Sequence, residues 1–339
     1  MKSKDTIKKI LVINLAFIGD TILSTPVTRA LKEAWPAASV AFMTIPAAAA
    51  VAEMNPYVDK VLVYDKKGSH KGIGGMWKMA KLLRTEQFDL AVCMNFAVRG
   101  AAVAWLAGIK YRVGYDAQHA GWFLTQVSSH VREKLQHETS NHLMVLQALG
   151  ITTEDTSLVF QLSDKAKQTF AEKVKLPVDR PLVVVCPFGS YARKSLSEKK
   201  YIEIITKVQD MAVVYLIGGT KEKKQLESIA KAAGLPMEQV LAGTLELKEL
   251  AVLIFRAQAM LSVDTGPMHM AQAVGTPVAA LFGPTDPAVW GPRGKNDILF
   301  YRKMKCSPCW GKGECSSNDC MEQFSADEIA AAIKKIIAG

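Results

Sequence analysis

The densest chemistry in the chain is Asp264-Thr265-Gly266-Pro267-Met268-His269, which follows the apolar run Met260 to Val263. Thr265 and Gly266 at a helix start put unpaired amides beside a hydroxyl, a geometry suited to phosphate. A plainer reading makes Asp264 a helix cap and His269 a structural histidine with its own partner. After the run ending at Cys186 comes Pro187-Phe188-Gly189-Ser190-Tyr191-Ala192-Arg193-Lys194. Gly189 and Ser190 allow backbone and hydroxyl donors close to an anion, and Arg193 or Lys194 adds charge, unless this is a solvated basic loop. Gly218-Gly219-Thr220-Lys221-Glu222 permits close backbone approach and offers a carboxylate for ribose hydroxyls, or is a plain strand-to-helix turn. Near the start, Ala16-Phe17-Ile18-Gly19-Asp20 leads into a helical pattern. Asp20 is there either as an N-cap or as a carboxylate kept ionised at a strand end, ready to act as general base.

Loops of this kind need parallel strands to carry them. Ile10 to Leu15, Ser39 to Ile45, Val61 to Tyr64 and Asp89 to Asn95 are near-continuous apolar runs, as buried parallel strands are. Leu23, Val27, Ala30, Leu31 and Ala34 keep helical spacing between the first two. The alternation restarts at Leu182 to Cys186 and continues with Val213 to Ile217, Leu261 to Val263 and Val278 to Phe282. The expected fold is α/β, two domains in tandem, each with a largely parallel sheet. Their junction is placed between residues 163 and 180, giving domains 1–170 and 171–339, where Lys-rich sequence ends in Pro177 and Pro181. Ser325-Ala326-Asp327-Glu328 has capping-box spacing and opens a terminal helix over 325–339.

Composition narrows the class. With 339 residues, 49% hydrophobic and 22% charged, the chain can bury two cores and is neither disordered nor a membrane bundle. Forty-two basic against 32 acidic residues leave +10, pointing to anionic partners. That excess is spread, +6 in residues 1–170 and +4 in 171–339, with no basic arm and no two-Cys two-His finger. Nucleic acid is therefore disfavoured against phosphorylated small molecules. Met1 to Gly19 mimics a secretory signal, but Asn14 and Asp20 interrupt it and no cleavage site follows. Ala34 to Ala52 lacks charge yet is broken by Pro36 and Pro46. A cytoplasmic protein is the expectation. Walker-type, dinucleotide-fingerprint and nucleophile-elbow motifs are absent; Gly72-Ile73-Gly74-Gly75 completes none of them.

Cys306, Cys309, Cys315 and Cys320 are spaced C-x2-C-x5-C-x4-C. The first pair has zinc-knuckle spacing and the second is wider, so a structural zinc, disulfides and free thiols all stay open.

Taken together, Gly19-Asp20, the Gly-Ser loop with Lys194, Gly219 with Glu222, and Asp264 to His269 with Phe282-Gly283-Pro284-Thr285 resemble glycosyltransferase family 9, the ADP-heptose:lipopolysaccharide heptosyltransferases. The likeness covers nearly the whole chain, and the late block is its specific part. It implies the GT-B architecture of two facing Rossmann-like domains, acceptor on the first and nucleotide sugar on the second, with the last helix reaching back towards the first. The implied reaction is an inverting transfer of heptose from ADP-heptose to the lipopolysaccharide inner core, without a metal or other cofactor. Asp20 matches the family's general base. Ser190 and Lys194 match donor-phosphate contacts with Gly189 beside them, Glu222 the ribose contact, Asp264 a carboxylate facing the sugar hydroxyls, and Thr265 and Gly266 the diphosphate site with His269 next to it. Lys66, Lys67, His70, Lys71, Arg99, Lys110 and Arg112 fall in the acceptor domain, some of them as contacts to an acidic lipid-linked acceptor at the inner membrane face. Two departures stand out: Ser195-Leu196 where many members have Trp, and Pro267 where Leu is common. The rivals are another nucleotide sugar or acceptor, or a non-catalytic two-domain sugar-binding protein.

Overall fold

The computed structural model describes residues 7–94, 98–128, 136–315 and 317–339. Two compact units divide the chain, residues 1–161 and 162–339. The first runs β1 (Lys9–Ile13), α1 (Ile18–Leu23), α2 (Thr25–Ala34), β2 (Ser39–Thr44), α3 (Ala49–Glu53), β3 (Lys60–Val63), α4 (Gly72–Glu86), β4 (Leu90–Cys93), α5 (Val98–Leu106), β5 (Tyr111–Tyr115), β6 (Gln126–Ser128) and α6 (Glu138–Met144). Its six strands are ordered β3-β2-β1-β4-β5-β6, every pairing parallel. Ile10, Leu11, Val12 and Ile13 are at most 1% exposed, because helices cover both faces of a central parallel strand.

The second unit runs α7 (Asp164–Lys173), β7 (Leu182–Cys186), α8 (Glu198–Gln209), β8 (Val213–Leu216), α9 (Lys223–Ala233), α10 (Leu247–Arg256), β9 (Ala259–Val263), α11 (Gly266–Val274), β10 (Val278–Leu281), α12 (Pro287–Trp290), β11 (Ile298–Phe300), α13 (Asp319–Glu322) and α14 (Ala326–Ala338). Its five strands are ordered β11-β10-β9-β7-β8, again all parallel. In both sheets the order reverses beside the first strand, between β1 and β4 and between β7 and β9. Ligands of open parallel sheets bind at the carboxyl ends there.

Several expectations need correcting. The division falls at 161, not 170, because the preceding segment belongs to the first unit: Arg29 donates to the carbonyls of Asp155 and Ser157, and Gln161 N to Met54 O. Helix α7, which a boundary at 170 would cut, packs on α10 and joins it through Lys173–Glu249 at 2.8 Å. The terminal helix does form with its Ser325/Glu328 capping box. It packs on α8, β9 and β10 of its own unit, burying Ile329, Ile333 and Ile336. Strand β4 ends at Cys93, and Asn95 lies outside the described residues, as do Met1 to Thr6 of the signal-like stretch. Strands β5, β6 and β11 went unread. β5 carries Arg112 and Gly114, β6 is the three-residue edge strand Gln126-Val127-Ser128, and β11 is apolar but only three residues long at an edge of the second sheet. Ala34 to Ala52 resolves into β2 and α3, and no helix among the described residues is long and apolar enough to cross a membrane.

Candidate active site

In the first unit the turn after β1 is organised by Asn14, fully buried, whose Nδ2 donates to Asp20 O and Ser24 Oγ and whose Oδ1 accepts from Ala16 N. Helix α1 therefore starts early, with Phe17 as its N-cap, and Asp20 stands in the first turn, its carboxylate accepting from the backbone at Phe17 and at Asp20 itself. Asp20 is not the N-cap residue itself, but its carboxylate does accept first-turn amides. Burial raises its pKa, His142 acts to lower it, Glu138 raises it, and the backbone at Phe17 and Asp20 lowers it. Glu138 and His142 come from α6, one helical turn apart on a shared face, with His142 Nε2 at 4.0 Å from Glu138 Oε1. One ligand atom from each of Asp20, Glu138 and His142 lies within 4.8 Å of the others. The sequence reading missed these two residues. An i,i+4 Glu and His on a short helix is visible in sequence, but nothing local ties them to Asp20.

Around that turn, Lys66 donates to Leu15 O at 2.9 Å, and Arg99 reaches the Tyr64 hydroxyl at 3.4 Å. Lys66 has a pKa lowered by burial first and then by Arg99. His70 is committed, its Nδ1 accepting from Asp65 N, while Lys67 and Lys71 are exposed. Lys110 lies over the Tyr111 ring, 5.4 Å from its centroid. Arg112 is structural, donating to the carbonyls of Phe123 and Ile109 and so locking β5 to its flanking loop. Of the seven basic positions, Lys66 bonds this turn directly, and Arg99 lies close enough to Lys66 to act on its charge.

In the second unit the loops after β7 and β9 meet at the reversal point of the sheet. Lys194 Nζ lies 2.8 Å from Asp264 Oδ2 and 3.1 Å from Asp264 O, with the side chains only 12% and 7% exposed. Gly189 makes this possible: a Cβ there would stand 2.9 Å from Lys194 Cδ. Tyr191 lies under Lys194 Nζ, 5.1 Å from the ring centroid, and Ser190 is exposed beside them. Of the two basic candidates in the loop, Arg193 is spent elsewhere, donating to Gly311 and Gly313 carbonyls. Thr265 is the N-cap of α11 and makes no side-chain capping bond, Gly266 is the first helical residue, and Pro267 sits at the helix start. His269 is buried, pairs through Nδ1 with Gln272 Oε1 at 3.3 Å, and has a pKa lowered chiefly by burial. It is a neutral histidine with its own partner. After β8, Glu222 Oε2 accepts from Gly219 N at 2.6 Å, which fixes the carboxylate at the loop crest.

A family model for glycosyltransferase family 9 (heptosyltransferase) matches residues 76–319. The chain belongs to glycosyltransferase family 9. Among curated relatives, lipopolysaccharide heptosyltransferase 3 of Escherichia coli K12 is 26% identical over 341 residues, covering 95% of this chain and 96% of that one. Among solved structures, E. coli ADP-heptose lps heptosyltransferase II superposes with a TM-score of 0.82 at 21% identity, covering 97% of this chain and 98% of that one. E. coli heptosyltransferase WaaC with ADP-2-deoxy-2-fluoro heptose gives 0.71 at 20% identity, with 96% and 99% covered. Two parallel Rossmann-like sheets are thus the family 9 fold, and the protein is a glycosyltransferase.

None of the four clustered cysteines of this family 9 chain, nor Cys93 or Cys186, is in a disulfide. Burial pushes the Cys320 thiol up to about 11, with Cys309, Cys315 and Cys306 adding to it, so the four share one neighbourhood. Among the described residues, however, the one His, Cys, Asp or Glu set that converges to metal-binding distance is Asp20, Glu138 and His142.

Proposed function

We propose that this family 9 enzyme transfers a heptose from ADP-heptose to the inner core of lipopolysaccharide, inverting the anomeric carbon, with Asp20 as general base and the second unit holding the nucleotide sugar. The observation that carries the reading is the Lys194–Asp264 pair at the sheet's reversal point, beside the uncapped Thr265 hydroxyl and the start of α11. Its sequence relative is a lipopolysaccharide heptosyltransferase, and a structural relative was solved with a fluorinated ADP-heptose.

As the acceptor oxygen attacks the anomeric carbon, its O–H bond breaks and the proton passes to an Asp20 carboxylate oxygen. The anomeric C–O bond breaks with its electron pair leaving on the diphosphate. Negative charge grows there, and Lys194, Ser190, the Thr265 hydroxyl and the α11 amides are fixed donors for it. Asp264 holds Lys194 in place and offers its remaining acceptor capacity to sugar hydroxyls. Glu222, already oriented by Gly219 N, accepts from the ribose. His269 is the wall of this site rather than a charged contact. Lys66, bonded to the Asp20 turn, and Arg99 near it meet the acceptor's anionic groups. The transfer assay at the end of the Discussion tests this reading.

A lipid-linked acceptor places the enzyme at a membrane surface, and one face of the first unit suits that. Trp77, Trp105 and Trp122 are 54%, 50% and 86% exposed on α4, α5 and the turn before β6, with Ile73 beside Trp77. A groove of about 700 Å³ is lined by Trp77 and Leu106 together with Lys78, Lys81 and Arg84. Exposed tryptophan beside Lys and Arg is the composition of an interfacial contact, each nearby cation contributing about 1 kcal/mol towards anionic lipid. The protein should co-sediment with phosphatidylglycerol vesicles, and Lys78→Glu with Lys81→Glu should weaken this at least tenfold. Equal sedimentation of wild type and variant would refute the surface.

A further inference from the structure

Glu138 and His142 play no part in the reaction as written above, yet they lie against its base. His142 is 5% exposed, and its Nε2 has no hydrogen-bond partner. That nitrogen lies 4.0 Å from Glu138 Oε1, and a ring nitrogen of His142 lies within 4.8 Å of a carboxylate oxygen of Asp20. A buried polar atom without a partner is costly and is normally avoided. Two half-buried carboxylates this close also resist being charged together. Glu138 has a donor of its own, since Asn141 Nδ2 reaches its Oε2 at 3.0 Å. The imidazole edge is then left for Asp20.

We propose that Glu138 and His142 are positioning residues for Asp20: the Nε2–H of a neutral His142 steadies the Asp20 carboxylate for attack on the acceptor proton, and the Glu138 carboxylate sets the local charge against which Asp20 takes it up. This rests on the reading of Asp20 as general base. The tautomer follows from the two carboxylates, which favour a proton on the nitrogen facing them. Burial lowers the His142 pKa and keeps the ring neutral. The remaining groups on the surrounding elements are engaged. Tyr115 on β5 donates to Asn141 O, its phenol raised by burial and then by Glu138. On α2, Arg29 pairs with Asp155 and Glu33, and Lys32 with Asp59. Glu53 ends α3.

The causes acting on Asp20 have opposite signs, and so should the variants. A base works only when deprotonated, so the acid limb of the kcat/KM pH profile follows the Asp20 pKa. Glu138→Gln removes a charge that raises it, and the limb should move to lower pH. His142→Leu removes an influence that lowers it, and the limb should move to higher pH, with kcat down about 10 to 100-fold from a mispositioned base. His142→Gln, whose amide can place N–H where Nε2 stands, should recover most of that turnover. Unchanged nucleoside diphosphate affinity and melting temperature serve as the folding control. If both limbs stay put or move together while Asp20→Asn is inactive, the positioning role is wrong and the base stands. Normal turnover by Asp20→Asn would sink both. A stoichiometric divalent ion on the wild type that Glu138→Gln loses would also overturn the role, making the three residues a cation site.

Discussion

Asp20→Asn should turn over about 10²- to 10⁴-fold more slowly than the wild type, the usual contribution of a positioned general base, while binding nucleoside diphosphate as before. The substitution keeps the side chain's size and shape, replaces one carboxylate oxygen by an NH2 donor, and removes the charge that accepts the proton. The amide oxygen of the variant can still accept from the Phe17 backbone, so α1 should start where it does now. The pKa direction bears on the assay. Burial raises Asp20 above its ordinary value, so its charged form, and with it activity, should be lost at a higher pH than for an exposed aspartate. The same shift costs stability: a carboxyl whose folded pKa lies above its unfolded one disfavours the fold once pH exceeds the unfolded value. Asp20→Asn should therefore melt no lower than the wild type at neutral pH. Measured kcat, ADP affinity and melting temperature on one preparation check all of this, and wild-type turnover by the variant would remove Asp20 from the mechanism.

Lys194→Met should lose about 10²- to 10³-fold in kcat, the range for removing one fixed donor from a developing anion. It should also weaken ADP binding. Stability should fall as well, because Asp264 is 5% exposed and would be left as a buried carboxylate without its cation, a change that costs about 3 to 5 kcal/mol. The double variant Lys194→Met with Asp264→Asn separates the two effects. With the stranded charge gone, the melting temperature should return towards that of the wild type, while turnover stays low. A double variant that recovers turnover would show that Lys194 serves only to neutralise Asp264.

What could be read in advance follows a physical division. Leu182 to Cys186 was legible because a strand covered on both faces must be apolar throughout, and the loop after it was legible because the sheet rule places chemistry there. The Ser325/Glu328 box announced α14 because capping is local, whereas the α8, β9 and β10 surface it docks on in its own unit is tertiary and leaves no mark in spacing. His269 behaves as its plainer reading had it, since its partner Gln272 is three residues away on the same helix. Asp20 lies inside the first turn rather than at the N-cap because Asn14 binds the Ala16 amide and the Asp20 carbonyl and starts α1 at Ile18, a turn geometry that spacing does not reveal. The Lys194–Asp264 pair joins two loops seventy positions apart, a meeting that neither loop's sequence reveals. Glu138 and His142 were out of reach, since their meaning depends wholly on α6 packing against α1.

The most direct test of the account is a transfer assay. Purified protein is given ADP-heptose and a lipid-linked inner-core acceptor lacking its terminal heptose, and both ADP release and the mass of the lipid product are measured. The account predicts one heptose added per ADP released, with the anomeric configuration inverted and no loss on chelation, and with UDP- and GDP-linked sugars as poor donors. ADP released without any gain in acceptor mass, or faster transfer from a UDP- or GDP-linked sugar, would contradict it.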